Sequence, residues 1–274
     1  MKEKTLLAFL EKKYPESSKT TLRKMINEKR ILIGGVIATS PTDIIDDPKD
    51  VKILSKREYL DGDVLLLYQD KDIAVVEKPH GLLSVATDNK AKQTLHGILK
   101  RFFTKGRVYP VHRLDQDTSG LLVFALNEKS RDALKNEFEK RMPKRRYIAM
   151  VEGTIEEDKG IWRSYLKEGG HFTVRETHRE DEGKLAITHF KVIERRKKTT
   201  VIELKLETGR KNQIRVQCQA AGLPVVGDKK YGAKTNPYRR VMLHAFELTI
   251  THPTLEKKMT FESPIPSEFL NSMM

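Results

Sequence analysis

The chain of 274 residues contains a single cysteine, Cys218. An intrachain disulfide and a multi-cysteine metal site are thereby excluded. Set in QIRVQCQAAG on an expected helix, Cys218 reads as a small buried apolar group rather than a nucleophile. Long apolar runs are missing too. The opening residues, MKEKTLLAFLEKKYPESS, offer only LLAFL before the charges of Glu11, Lys12 and Lys13, too short for the core of a signal peptide, and nothing else approaches a membrane span. A soluble, cytoplasmic protein is expected. Aromatic residues make up 7%, so composition announces no base-stacking platform. His80, His96, His171, His178, His189, His244 and His252 are scattered without the paired spacing of a metal site, so no metal is expected. Acidic residues fall short of basic ones, 38 against 52, leaving a net charge of +14. Such an excess draws polyanions while leaving the fold open. Nucleic acid is the leading partner and a membrane surface the competing one. A monomer is the default, with no internal repeat and no low-complexity tract.

The patterning divides the chain unequally, residues 1–62 against 63–274. Residues 4–13 and 19–29 each carry an apolar face at helical spacing, with Ser18 placed to cap the second helix. ILIGGVIA follows, where Gly34-Gly35 between short apolar runs predicts a tight hairpin, and then VKIL. The second helix and its end carry Lys19, Arg23, Lys24, Lys29 and Arg30, a cationic face suited either to solvent or to RNA phosphates. From Asp63 the pattern changes. VLLLYQDKDIAVVEK reads as two paired strands, TLHGILKRFF and EKSRDALKNEFEKRM as helices, the latter capped by Asn127, and ITHFKVIERRKKTTVIELKLETG as a hairpin. KNQIRVQCQAAG reads as a helix stopped at Gly222, and VMLHAFELTI as a closing strand. Strands outnumber helices and seldom alternate with them. The expected class is therefore α+β, a catalytic domain on a mixed, mostly antiparallel sheet flanked by helices, with a small N-terminal α+β module.

Chemistry concentrates in HRLDQDTSGLLVFA, where His112, Arg113, Asp115 and Asp117 stand at the mouth of a strand apolar on both faces. Thr118-Ser119-Gly120 would bring the backbone into that strand by a tight bend. Three chemistries fit these residue types: a metal held by His112, Asp115 and Asp117, a glycosidase-like carboxylate pair, or one aspartate kept ionised by an arginine. A salt-bridged turn without chemistry is the fourth reading. In TGRKNQIRV, Arg215 falls in a first helical turn, from which its guanidinium could hold a strand-end carboxylate, while Arg210 or Lys211 could clamp phosphate. Tyr147 in KRRYIAMVEG is either core or the wall of a base pocket.

Taken together, EKPHGLLSV, HRLDQDTSGLLVFA, RRYIAMVEG, ETGRKNQIRVQ, VGDKKYG and LHAFEL followed by His252-Pro253 resemble the successive motifs of the RluA class of RNA pseudouridine synthases. The resemblance spans nearly all of residues 65–265, and His112 in place of glycine favours this branch over the RsuA-like one. Residues 1–62 resemble, more loosely, the RNA-binding module named after small-subunit ribosomal protein four, with Gly34-Gly35 replacing its usual asparagine-glycine turn. The chain also departs from the class at Lys211-Asn212, before QIR. The resemblance implies an isomerase that acts on flipped uridines in structured RNA, with ribosomal RNA of the large subunit favoured over transfer RNA, without cofactor or metal. It implies Asp115 as the catalytic carboxylate, paired with Arg215. Arg113 would fill the gap left by the flipped base, Tyr147 would stack on the uracil, and Ile214 would pack on the ring. Arg210 with Lys19, Arg23, Lys24, Lys29 and Arg30 would contact RNA. A non-catalytic RNA-binding or ribosome-assembly protein is the rival reading.

Overall fold

The structure, a computed structural model, describes residues 5–28, 30–34, 36–53, 58–86, 94–169, 173–177 and 179–270. The chain clusters into two compact units, residues 1–58 with 264–274, and residues 59–263.

In the smaller unit, α1 (Leu6–Lys13) and α2 (Lys19–Asn27) form where the apolar spacing predicts them. The Ser18 hydroxyl accepts from the Thr21 backbone N–H at 3.1 Å, satisfying a donor that the first helical turn cannot pair internally. Strands β1 (Ile31–Ile33), β2 (Val36–Ile37) and β3 (Val51–Ile53) make an antiparallel sheet in the order β2-β1-β3. Leu6, Leu10, Leu22, Ile26, Ile31 and Val51 pack into its core. The hairpin turns at Gly34, whose φ of +59° suits glycine. Gly35 and Lys29 lie outside the described residues. Of the cations on and after α2, Lys19 pairs with Glu11 at 3.3 Å, while Lys24 and Arg30 lie 3.9 and 3.7 Å from Glu28. Surface pairs of this kind contribute little to stability and yield readily to a polyanion.

In the larger unit the strands are β4 (Glu58–Leu60), β5 (Val64–Gln69), β6 (Ile73–Lys78), β7 (Tyr109–Pro110), β8 (Ser119–Ala125), β9 (Lys144–Glu152), β10 (Lys159–Glu168), β11 (Val174–Thr177), β12 (Lys184–Arg195), β13 (Thr199–Leu206), β14 (Leu243–Thr251) and β15 (Lys258–Glu262). The main sheet runs β11-β10-β12-β13-β9-β14-β8-β6-β5-β4, with β15 on β14 and β7 on β8. Among the strand pairs whose register is described, only β8 and β14 run parallel. Helices α3 (Leu95–Phe102), α4 (Glu128–Glu139) and α5 (Gln213–Ala220) flank it. The expected α+β class, on a mixed and mostly antiparallel sheet, is the one observed. Asn127 caps α4 by accepting from the Ser130 N–H, and Gly222 follows α5 with a φ of +75°.

Strand β8 is buried along its whole length, as its unbroken apolar run requires in a central strand. Its first residues approach β14 so closely that a Cβ on Gly120 would stand 2.2 Å from the Ala245 carbonyl oxygen. Only glycine fits there, and its φ of +117° marks the bend at the start of β8. A buried polar chain crosses the sheet at the same level. The Arg240 guanidinium donates to Ser119 Oγ at 2.6 Å, Ser119 contacts His244 Nδ1 at 2.8 Å, His244 Nε2 contacts Ser263 Oγ at 3.0 Å, and Ser263 donates to Glu77 at 2.6 Å. A guanidinium can only donate and a carboxylate can only accept, so every proton in the chain points from Arg240 toward Glu77. Burial, with Arg240 nearby, pushes the His244 pKa down to about 3, which keeps the ring neutral as the chain demands.

Candidate active site

The residues ahead of β8 are held by the neighbouring segment that follows β6. Thr118 N–H bonds the Asp115 carbonyl at 3.2 Å, closing the turn, and Thr118 and Leu114 are both buried. The Ser84 hydroxyl donates to the Leu114 carbonyl and accepts its N–H, at 2.7 and 3.2 Å. Lys78, fully buried at the end of β6, donates to the carbonyls of Pro79, Leu82 and Gln116 at 2.9, 2.7 and 2.9 Å. Burial pushes its pKa down to about 7, opposed by Asp117 and Asp115. EKPHGLLSV thus acts as the clamp on the HRLDQD loop.

His112 is part of the support. Its Nε2 accepts the Val123 N–H at 3.1 Å and its ring stacks on Phe138, 4.4 Å between centroids. Burial, and then Arg145, push its pKa down to about 3. Among the described residues, His112, Asp115 and Asp117 do not bring their ligand atoms together into a group that could hold a metal ion. Elsewhere, Asp70, Asp72 and His252 bring ligand atoms within 4.8 Å of one another. Both ring nitrogens of His252 are engaged there: Nε2 meets Asp70 at 2.7 Å, and Nδ1 accepts the N–H groups of Thr254 and Leu255. The trio ties turns together.

The sequence-chosen residues Arg113, Asp115, Tyr147, Arg210, Ile214 and Arg215 all line one cleft. Asp115 sits in it beneath a polar cap supplied by α5. Asn212 precedes that helix in the left-handed region, φ 52° and ψ 21°, a conformation asparagine tolerates better than most residues. Its amide donates to both Asp115 oxygens, at 2.8 and 3.0 Å, and accepts the Tyr231 hydroxyl at 2.8 Å. That orientation is the complementary one, because an ionised carboxylate can only accept. Desolvation raises the Asp115 pKa, opposed by Arg215, Arg113 and the Asn212 N–H, while Asp117 adds to the rise. Tyr147 is buried beside it, and burial raises its phenol pKa as well.

The expected pair between Arg215 and Asp115 is not formed. Arg215 spends its fork on Asp228, Nε and Nη2 donating at 2.6 and 2.7 Å, and lies 3.7 Å from Asp117. The reason is burial. Asp228 and Arg215 are only 1% and 4% exposed, so the bidentate pair goes to the carboxylate that water cannot reach. Arg215 acts on Asp115 through its field instead. Arg210 lines the cleft with its Nε tied to the Leu185 carbonyl at 3.0 Å.

Four residues escape the sequence reading. Asn212 could be found as the residue ahead of a helix, where capping and left-handed residues collect. Arg145 stands two positions before Tyr147 and so on the same face of β9. Lys78 follows Glu77 just after the apolar run IAVV, and nothing local marks it as a buried lysine until its loop partners are known. Asp228, in VGDKKYG, lies 13 residues beyond Arg215, and no local pattern joins the two.

The family model for RNA pseudouridylate synthases matches residues 72–220. The dual-specificity RNA pseudouridine synthase RluA of Haemophilus influenzae is 38% identical, covering 75% of this chain and 93% of that protein. The ribosomal large subunit pseudouridine synthase D of Pseudomonas aeruginosa is 32% identical over 94% and 87%. Among solved structures, human RNA pseudouridylate synthase domain containing 1 superposes with a TM-score of 0.62 at 28% identity, covering 74% of this chain and 85% of that one. With the cleft built from the motifs of that family, and the match extending over more than half of its length, the chain belongs to the RluA family of RNA pseudouridine synthases, isomerases that convert uridine in RNA to pseudouridine.

Proposed function

We propose that Asp115 is the catalytic carboxylate, acting on a uridine flipped into the cleft. The observation that carries this reading is the carboxylate itself: both its oxygens are fixed by Asn212, guanidinium fields favour its charge, and Tyr147 lies beside it. Isomerisation breaks the bond between ring nitrogen one and the ribose, turns the uracil, and rejoins ribose to carbon five, and it needs no oxidant. Ionised Asp115 starts the reaction, by attack on the anomeric carbon, addition to the ring, or removal of a ribose proton. Tyr147 stacks on the uracil and Ile214 packs on its ring. Exposed Arg113 fills the gap in the RNA stack, and Arg215 sustains the charge on Asp115.

This assignment fixes the sign of the pH dependence. A protonated Asp115 is inactive, and desolvation lifts its pKa above 3.8. Single-turnover rates should therefore rise with pH along an acid limb centred above that value. A limb centred below it, measured with RNA binding saturated at each pH, would remove Asp115 from the chemistry.

We infer ribosomal RNA of the large subunit as the substrate, because one relative bears that name over 94% of this chain. Transfer RNA is the alternative. Carbodiimide-dependent reverse-transcription stops, compared between wild-type and deletion strains, identify the uridine that loses its modification. A loss confined to transfer RNA would overturn the ribosomal assignment. The small N-terminal unit we read as an RNA-docking module of the ribosomal-protein-four type, acting in the cytoplasm as part of a monomer. The unit's cations Lys19, Arg23, Lys24 and Arg30 should add affinity without base selectivity. Changing all four to glutamine in the full chain should weaken binding and flatten the slope of log affinity against log salt, by about 0.7 for each phosphate no longer neutralised, or roughly two to three units for three or four phosphates. Wild-type slope and affinity would mean that the helix does not touch RNA.

A further inference from the structure

Arg145 and Arg146 are neighbours on β9, and their side chains take opposite faces of the strand. Arg146 is neutralised twice, by Glu203 and by Glu247. On the other face, Arg145 lines the active-site cleft, and its buried Nε has no acceptor among the described residues. The guanidinium is nevertheless fixed. It lies over the Phe138 ring, 5.9 Å from the centroid, and reaches toward the Gly209 turn, where a Cβ on residue 209 would stand 2.6 Å from its Nη1. Its field is felt by Tyr147 and His112. The other cleft arginines near α5 are already engaged, Arg215 with Asp228 and Arg210 with the Leu185 carbonyl.

A buried donor without an acceptor is costly, so its natural complement is an acceptor that arrives with the substrate. The reaction supplies one. When the bond between uracil N1 and the anomeric carbon breaks, the electron pair stays with the ring, and the negative charge spreads from N1 onto the two carbonyl oxygens. This ring is released beside the Asp115 carboxylate and must be held while it turns. We propose that Arg145 is the cation that stabilises the detached uracil, donating to a ring carbonyl oxygen as charge develops there. The inference rests on the placement of the flipped uridine between Asp115 and Tyr147. It makes Arg145 a catalytic residue whose contact strengthens as the bond breaks, so its loss falls on the rate rather than on RNA binding.

The test compares two leaving groups. RNA carrying uridine or 5-fluorouridine at the target position is incubated with excess enzyme, and disappearance of the N-glycoside is followed by digestion and chromatography. Fluorine stabilises the ring anion and lessens the need for an external cation. Wild-type enzyme must convert the uridine RNA, and failure there would defeat the isomerase reading before any variant is considered. Arg145→Met should slow uridine conversion by about 10²–10³-fold, the loss typical of a removed oxyanion donor, with the dissociation constant within a few-fold of wild type. Its deficit on 5-fluorouridine should be at least about tenfold smaller. Arg145→Lys, which retains a charge and guards against misfolding of the methionine variant, should show a smaller deficit with the same dependence on the base. Equal deficits on the two bases would overturn the proposal. So would a loss expressed in affinity with a shallower salt slope, which would mark Arg145 as a phosphate contact.

Discussion

Asp115→Asn should leave an enzyme that binds RNA within a few-fold of wild type and turns none of it over. The change keeps the shape of the side chain and removes the one ionised oxygen. It also sets one NH2 against another, because the Asn212 amide donates to both Asp115 oxygens. Loss of the group that starts the chemistry should cost several powers of ten in single-turnover rate. Residual activity above about one per cent of wild type would remove Asp115 from the central role. Asp117→Asn is the control. That carboxylate is 48% exposed and meets Arg215 only at 3.7 Å, so its loss should be far milder. Equal losses at both positions would revive the carboxylate-pair chemistry.

Arg215→Met should be the most damaging change to the framework. It strands Asp228, 1% exposed, without the two hydrogen bonds that make its burial tolerable. Removing one partner from a buried ion pair costs about 3–5 kcal/mol. For a unit of this size that corresponds to a fall of roughly 6–20 °C in melting temperature. The double change Arg215→Met with Asp228→Asn should recover a large part of the loss, since no charge is then left unpaired, and a thermal-melt double-mutant cycle measures the recovery. Additive losses would mean that the pair matters little. Activity should carry a second signature: without the Arg215 field, the Asp115 pKa rises further and the acid limb of the rate profile moves to higher pH. The expected direction is fixed, because a cation favours the ionised carboxylate.

The sheet was largely readable in the sequence because its central strand is apolar on both faces and its hairpins alternate. LLVFAL announces β8, and Ile202, Leu204 and Leu206 announce β13. Helix starts were readable where a side chain caps them, at Ser18 and Asn127. The cleft was readable wherever a residue type stands out locally, as with Asp115 at a strand mouth and Arg215 in a first helical turn. It was not readable where the determinant is a contact between distant segments. Nothing near Arg215 marks Asp228 as the stronger claim on its guanidinium, because burial decides that choice and burial is a property of the packed chain. Lys78 is similar: its three carbonyl partners come from residues 79, 82 and 116. Arg145 was within reach, since period two puts it on the face of Tyr147. The motif drew attention to the tyrosine alone.

The polar chain from Arg240 to Glu77 has a consequence for proton traffic. Each of its hydroxyls has one proton, and each hands that proton in the same sense, so the bond dipoles add head to tail between a cation and an anion. To carry a proton, such a wire would have to reverse every link in concert against the charges at both ends. Although it contains serine, histidine and glutamate in series, the charges at its two ends hold it in one sense, and it makes a structural brace across the sheet and a poor proton relay.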